Sequence, residues 1–297
     1  MEHQQTETDS ARGGAPLTVV ARRRSKRVTD LQGQIDKARS LMRIAVIYGG
    51  DKSEQGAVIN PTVNPRSWKS YQGVAEDIAA ALQRIGFQHV FLMPDDMRLG
   101  ERLREQDIHI GWLNTGGVQG YHSVTHAPAM LEMFGIPYVG HDPLTSGVLD
   151  NKHVFKRNLK GLGIATATSI TWSVARGPFR VEGNKNFRHA FGDYTGPFVV
   201  KPVSGRASLL IDIVDDIAQL PEAVTSLCEK TENHVLIESY LPGREFCVAV
   251  CGPVTARDGM LDRRGTPFIF AAVERLLGAD EKIFTSMDVR PITTARM

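Results

Sequence analysis

The chain has 297 residues, 42% of them hydrophobic and 23% charged, which is enough material for more than one packed domain. No stretch approaches the ~18 uninterrupted apolar residues of a membrane span, so a transmembrane reading is excluded. Three cysteines, Cys228, Cys247 and Cys251, with no CxxC pair, argue against a disulfide framework and against structural zinc, and they fit a reducing cytoplasm.

The 35 basic and 33 acidic residues leave a net +2, yet residues 1–41 hold eight Lys/Arg against five Asp/Glu, a local +3. The run Arg22-Arg23-Arg24 with Lys26 and Arg27 has no interleaved aromatics on which bases would stack, so nucleic acid is not an expected partner. Residues 1–41 are expected to be a disordered basic tail, with the folded body starting at Met42.

Arg43-Ile44-Ala45-Val46-Ile47-Tyr48 is a β-branched run closed by Gly49-Gly50, the pattern of a buried parallel strand. Val74, Ile78, Ala81, Leu82 and Ile85 then share one face of a helix that Gly86 stops. Val90–Met93, a polar helical stretch and Ile108–Leu113 repeat the alternation, which predicts a doubly wound α/β N-terminal domain over 42–141. Asp142-Pro143 reads as a helix cap followed by the first helical residue, and a second helix runs from about Asn151 to Gly161-Leu162-Gly163. From Ile164 the rhythm changes. Strand-like runs at Ile164–Trp172, Phe198–Lys201, Leu209–Val214, Val235–Tyr240, Phe246–Val250 and Phe268–Val273, with few helices between, predict an antiparallel α+β region.

Three loop-positioned features carry candidate chemistry. Glu54, four residues beyond Gly50, places a carboxylate at the sheet's carboxyl edge, where open α/β sheets bind ligands, although a tight turn with a solvated Glu reads equally well. Lys201 ends the apolar run Phe198-Val199-Val200 and calls for an anionic partner unless it snorkels to water. The loop after it, Val203-Ser204-Gly205-Arg206-Ala207-Ser208, offers backbone N–H groups and the Ser204 and Ser208 hydroxyls to phosphate oxygens, without being a P-loop. His234–Glu245 joins an apolar strand to a turn with Glu238 and Glu245 at its ends, a place for a planar base and a ribose. His122 and His126 lack a third metal ligand nearby, Cys247 and Cys251 read as small core residues on one strand face, and Trp68 and Tyr71 as helix-packing aromatics.

Five short segments in this order, Tyr48-Gly49-Gly50-x-x-x-Glu54, Met130–Gly140, Leu149-Asp150-Asn151-Lys152, Val199-Val200-Lys201-Pro202, and Leu236-Ile237-Glu238 with Gly243-Arg244-Glu245-Phe246, resemble the D-alanine-D-alanine ligase family of the ATP-grasp superfamily over about Met42–Arg290. The resemblance implies a Rossmann-like N-terminal domain (42–141), a central ATP-grasp subdomain (142–234) and the start of a C-terminal one (235–297). It implies ATP-dependent joining of amino acids or similar small molecules through an acylphosphate, and a homodimer. By the same resemblance Lys152 and Lys201 contact ATP phosphates, Glu238 meets the adenine edge, Ser239, Tyr240 and Leu241 form the backbone hinge, and Glu245 binds the ribose. Glu54 holds the first substrate's ammonium, and Arg275 stands in the mobile loop where the family has Lys-Tyr.

Departures bear on substrate and metal. Ala207-Ser208-Leu209-Leu210 replaces the family's Ser-Ser-x-Gly, and Asn114–Gly117 with His122–Thr125 replaces its acidic substrate contacts, so a substrate other than D-alanine is expected. The family's magnesium ligands lie beyond the mobile loop, and this chain reaches Met297 without matching them, so no metal ligand is assigned and the ATP-grasp fold is expected to be incomplete at its C-terminus. The expectation is nucleotide binding with poor turnover. The alternative is a non-catalytic or regulatory ATP-grasp remnant.

Overall fold

The computed structural model describes residues 26–59, 70–205, 209–231, 234–252, 254–257, 260–263, 266–278 and 281–283. The chain falls into two units, Met1–Lys37 and Ala38–Met297, and both main sheets and the candidate site lie in the second.

Residues 26–41, expected to be disordered, instead form helix α1 (Lys26–Leu41). Leu31, Ile35 and Ala38 recur at helical spacing inside the charged run, and Gln32 donates to Asp36 one turn on at 3.1 Å. Residues 1–25 lie outside the described residues. The second unit begins before Met42, since the Arg39 carbonyl accepts from the Gln88 N–H at 3.0 Å.

The first sheet is parallel. Strands β1 (Arg43–Gly49), β2 (His89–Asp95), β3 (Ile110–Asn114) and β4 (Tyr138–Val139) run in the order β2-β1-β3-β4, joined through α2 (Gln72–Arg84), α3 (Leu99–Glu105) and α4 (His126–Met133). Its central strand is apolar on both faces for a packing reason. Ile44 and Val46 face Ala75, Ala79 and Leu82 of α2, while Ala45 and Ile47 face Leu99, Leu103, Ala127 and Leu131 of α3 and α4. Gly50 has a structural use that its place after β1 did not reveal: a Cβ there would stand 3.0 Å from the Asp95 carbonyl oxygen, so the glycine lets the ends of β1 and β2 pass closely.

The next helices start where the sequence signals place them. Asp142 caps α5 (Pro143–Asp150) by accepting from the Thr145 N–H at 2.9 Å, and Asn151 caps α6 (Lys152–Gly161) by accepting from Val154 N–H at 3.0 Å.

The second sheet is antiparallel, in the order β5-β8-β6-β7, from β5 (Ser169–Trp172), β6 (Phe198–Pro202), β7 (Asp212–Val214) and β8 (Val235–Ser239). The antiparallel reading holds, but helices α7 (Lys185–Phe191) and α8 (Leu220–Thr231) break the expected run of strands. They supply the core. Val224, Leu227 and Cys228 of α8 and Phe187 and Phe191 of α7 pack on Phe198, Val200, Val235 and Ile237. The last short strands, β9 (Glu245–Cys247), β10 (Val250–Cys251), β11 (Val254–Arg257), β12 (Met260–Arg263), β13 (Phe268–Ile269) and β14 (Val273–Arg275), pair two by two as β9 with β14, β10 with β13 and β11 with β12. Cys247 and Cys251 therefore sit on different strands, exposed and half-buried respectively, and neither is the small core residue on a shared strand face that was expected; Cys228, for which no place was expected, is the buried one.

Candidate nucleotide site

Alternation along β6 and β8 builds the site. Phe198, Val200, Val235 and Ile237 point to the α8 side, which leaves Val199, Lys201, Leu236 and Glu238 on the opposite face. The register pairs Lys201 with Leu236 and Val199 with Glu238, so Lys201 and Glu238 are diagonal neighbours on that face. The Glu238 carboxylate accepts from Lys201 Nζ through Oε2 and from Lys156 Nζ of α6 through Oε1, the latter at 2.7 Å. Lys156 Nζ also donates to Thr166 Oγ1 at 2.7 Å.

The triad thus carries two ammonium groups for one carboxylate. It is well shielded from water, with side-chain exposures of 11% for Lys156, 7% for Glu238 and 20% for Lys201. A buried charge persists in such surroundings only when paired and hydrogen-bonded, and here each carboxylate oxygen has its own cation.

Lys152 stands one turn before Lys156 in α6 and reaches the loop after β6. Its Nζ donates to the Gly205 carbonyl at 2.9 Å, and its backbone N–H donates to the Val203 carbonyl at 3.0 Å. The start of α6, with Asn151 as cap, is therefore laced to the loop that continues from Lys201. Ser204 in that loop is buried, and Ser208 lies outside the described residues.

The remaining sequence-derived candidates separate into two places. At the end of β8, the Ser239 N–H donates to the Thr168 carbonyl at 2.9 Å and the Tyr240 N–H to the Pro197 carbonyl at 3.0 Å, so both amides are used in holding β8 to its neighbours. Tyr240 Oη donates to the Lys282 carbonyl at 2.6 Å, and Leu241 is exposed. Glu245 and Arg275, given separate roles in the sequence, meet directly across the β9–β14 pair, where Arg275 Nη1 donates to Glu245 Oε1 at 2.9 Å.

Glu54 belongs to the other sheet. It is exposed in the turn after β1 and makes no hydrogen bond or ion pair with the lysine cluster among the described residues; its charge adds to burial in raising the Tyr48 phenol above its ordinary value. Nearby, at the ends of β2 and β3, lies a carboxyl the sequence reading missed. Asp95 is buried, accepts from Thr115 Oγ1 at 2.8 Å, and is pushed up to about 6 chiefly by that burial. Its neighbour Asp96 takes a forked contact from Arg102, at 2.5 Å to Oδ2 and 2.6 Å to Oδ1.

Lys156 was also missed. The signal was present, since it lies four residues after Lys152 and so on the same face of a capped helix, but only the tertiary contacts show that it shares Glu238 with Lys201. A cationic cavity of about 480 Å³ beside β5, lined by His153, Lys160, Arg176 and His189 among others, holds none of the three triad residues.

The family model for the D-ala D-ala ligase C-terminus matches residues 159–265. The chain is 32% identical over 195 residues to the uncharacterized protein y4sG of Sinorhizobium fredii, covering 63% of this chain and 54% of that protein. It is 30% identical to the D-alanine-D-alanine ligase of Gloeobacter violaceus and 29% identical to that of Aquifex aeolicus, in each case over 70% of this chain and 62% of the relative. The chain thus spans 54% to 62% of the length of these relatives. Among solved structures, the D-alanine-D-alanine ligase of Bacillus anthracis complexed with ATP is similar with a TM-score of 0.52 at 23% identity, covering 80% of this chain and 71% of that one. The D-alanyl-alanine synthetase A of Vibrio cholerae gives 0.54 at 17% identity, covering 86% and 76%. At such identities the structural likeness speaks for the mixed α/β fold alone.

Proposed function

We propose that the chain is a member of the D-alanine-D-alanine ligase family, to which it is similar in sequence, and that it binds ATP at the face carrying Lys152, Lys201 and Glu238 and acts as a carboxylate-amine ligase on amino acids or similar small molecules. The observation that carries this reading is the Lys156–Glu238–Lys201 triad beside Lys152. Three ammonium groups gather where the start of α6 meets the loop after β6, with one carboxylate among the triad. Such a donor set suits a polyphosphate.

In this reading the parallel sheet of 42–141 is a Rossmann-like substrate domain, 142–234 is the central ATP-grasp subdomain, and 235–297 begins the C-terminal one. The order β2-β1-β3-β4 and the antiparallel β5-β8-β6-β7 sheet support that division.

The reaction balances without a protein nucleophile. A substrate carboxylate oxygen attacks the γ-phosphorus, the bond from that phosphorus to the β–γ bridging oxygen breaks, and ADP leaves. An amine then attacks the acyl carbon, phosphate departs, and the nitrogen gives up a proton. The ammonium groups of Lys152 and Lys201 offset the charge that moves onto the β-phosphate, which is positional and electrostatic catalysis. Glu54, at the carboxyl edge of the first sheet, holds the ammonium of the first amino acid. Mg²⁺ is implied by the family and would supply neutralisation of phosphate charge. Among the described residues no group of three or more His, Cys, Asp or Glu side chains suits a metal ion.

Calorimetry of ATP binding tests the reading. Lys201→Ala is expected to weaken ATP roughly tenfold to a hundredfold, the equivalent of about 1.5–3 kcal/mol for a charge-assisted contact. Unchanged affinity would remove Lys201 from the phosphate site. ADP release across a panel of D- and L-amino acids then separates a ligase from a protein that binds nucleotide without turning it over.

A further inference from the structure

We propose that Lys156 is a positioning residue for the nucleotide: by keeping Glu238 paired, it allows Lys201 to exchange its carboxylate partner for a phosphate. The inference deepens the ATP-binding reading and rests on it for the role of the phosphate, but not for the coupling among the three side chains.

Three observations carry it. First, the two oxygens of Glu238 are divided, Oε1 to Lys156 and Oε2 to Lys201, so one ammonium can leave without stripping the carboxylate. Second, Lys156 has a further anchor in Thr166 Oγ1 at 2.7 Å, while Lys201 is the most exposed member of the triad. Lys156 is the fixed cation and Lys201 the one facing outward. Third, Glu238 is too well buried to stand alone. A carboxylate so placed without a cation bears a desolvation cost that water does not offset. If Lys201 were its sole partner, each nucleotide would have to leave a lone buried charge behind, and Lys201 would stay locked.

The two lysines therefore differ in task although both touch the same carboxylate. Lys201 meets the ligand. Lys156 acts through Glu238 and need not touch nucleotide at all.

The test uses the full chain in four forms: wild type, Lys156→Met, Lys156→Met with Glu238→Gln, and Thr166→Val. Two measurements are made on each, ATP affinity by calorimetry and, with no nucleotide present, the acetylation rate of Lys201 by limiting N-hydroxysuccinimidyl acetate followed by mass spectrometry. In Lys156→Met the whole charge of Glu238 falls on Lys201, so Lys201 is expected to acetylate several-fold more slowly and ATP to bind about tenfold more weakly, the change that a coupling of ordinary size within one ion-pair network produces. Adding Glu238→Gln removes the lock, and both readings are expected to recover towards wild type. Thr166→Val loosens Lys156 without deleting it and is expected to shift both readings the same way by less, which keeps the test open should Lys156→Met fold poorly.

Lys201 acetylation that is unchanged or faster in Lys156→Met, or a double variant no better than the single one, would overturn the proposal. Should wild type bind no ATP while Lys201 reactivity still follows the expected order, the coupling stands and the nucleotide reading fails.

Discussion

The two four-stranded sheets handle charge in opposite ways. In the parallel sheet, helices cover both faces of β1, so polar side chains are driven to the strand ends, where Asp95 closes β2, Asp96 follows it and Thr115 follows β3. In the antiparallel sheet only the α7 and α8 side is wholly apolar, and the opposite face carries a lysine and a glutamate in mid-sheet, met by a second lysine from α6. The first arrangement leaves a buried carboxyl held by a hydroxyl; the second gives a buried carboxylate two cations. The lesson is that neutralisation follows layer order: a face left open by the core can host a shared ion-pair network, while at a strand end each carboxyl takes its own partner, Asp95 a hydroxyl and Asp96 the Arg102 guanidinium.

The largest expected effect breaks the second arrangement. Glu238→Ala leaves Lys156 and Lys201 facing each other without a carboxylate and is expected to cost about 3–5 kcal/mol of stability in urea denaturation. Replacing the triad together, Lys156→Met with Lys201→Met and Glu238→Leu, is expected to recover most of that loss while abolishing ATP binding. Such a split would show the charges to be kept for function and not for the fold. A triple variant as unstable as Glu238→Ala would refute the comparison.

The next effect breaks the first arrangement. Burial pushes the Asp95 carboxyl up to about 6, with a smaller push from Asp96, against the pull of the Thr115 hydroxyl. Because the folded value lies above the unfolded one, the native state holds the extra proton at mildly acid pH. Stability from this group is full below the unfolded value near 4 and is lost as pH rises through about 6. Asp95→Asn keeps an acceptor for Thr115 and carries no charge. It is expected to match wild type near pH 4 and to exceed it at pH 8 by up to about 3 kcal/mol. Parallel pH profiles for the two proteins would show that Asp95 is ionised without cost.

How much of this was legible depended on range. Local signals were enough for β1, for the apolar stripe of α2 closed by Gly86, and for the caps at Asp142 and Asn151, because each is set within a few residues. Helices α1, α4, α7 and α8 escaped. In α1 the density of charge hid an apolar spacing, and in α8 the buried positions Leu220, Val224, Leu227, Cys228 and Thr231 include residues of weak helix preference, so the periodicity was faint until packing on β6 and β8 supplied it. Lys201 was visible as a charge ending an apolar run. Its partners were not, because the β6–β8 register brings Glu238 beside it and Lys156, 45 positions earlier in the sequence, reaches that carboxylate from α6. The partner of Asp95 is hidden in the same way, since Thr115 lies 20 positions further along the sequence.

The smallest expected effect sharpens the comparison by holding geometry constant and changing burial. Arg244 forks Glu274 with two hydrogen bonds of 2.6 Å and stacks its guanidinium 4.9 Å from the Phe246 ring, a contact at least as close as that of Lys156 with Glu238. The pair nevertheless stands in water, with 70% of the Arg244 side chain exposed. The hydrogen bond from Arg244 holds the Glu274 carboxyl below its ordinary value, so whatever stability it contributes is present above the unfolded carboxyl value and lost as pH falls through the folded one. Solvent and salt screen such a pair, and the ordering of two long side chains offsets much of the attraction. Arg244→Ala is therefore expected to leave the urea midpoint at pH 7 unchanged within error, with or without 0.5 M salt. If the midpoint instead drops as far as it does for Glu238→Ala, hydrogen-bond geometry and not burial sets the worth of these ion pairs, and the contrast between the two sheets loses its physical basis.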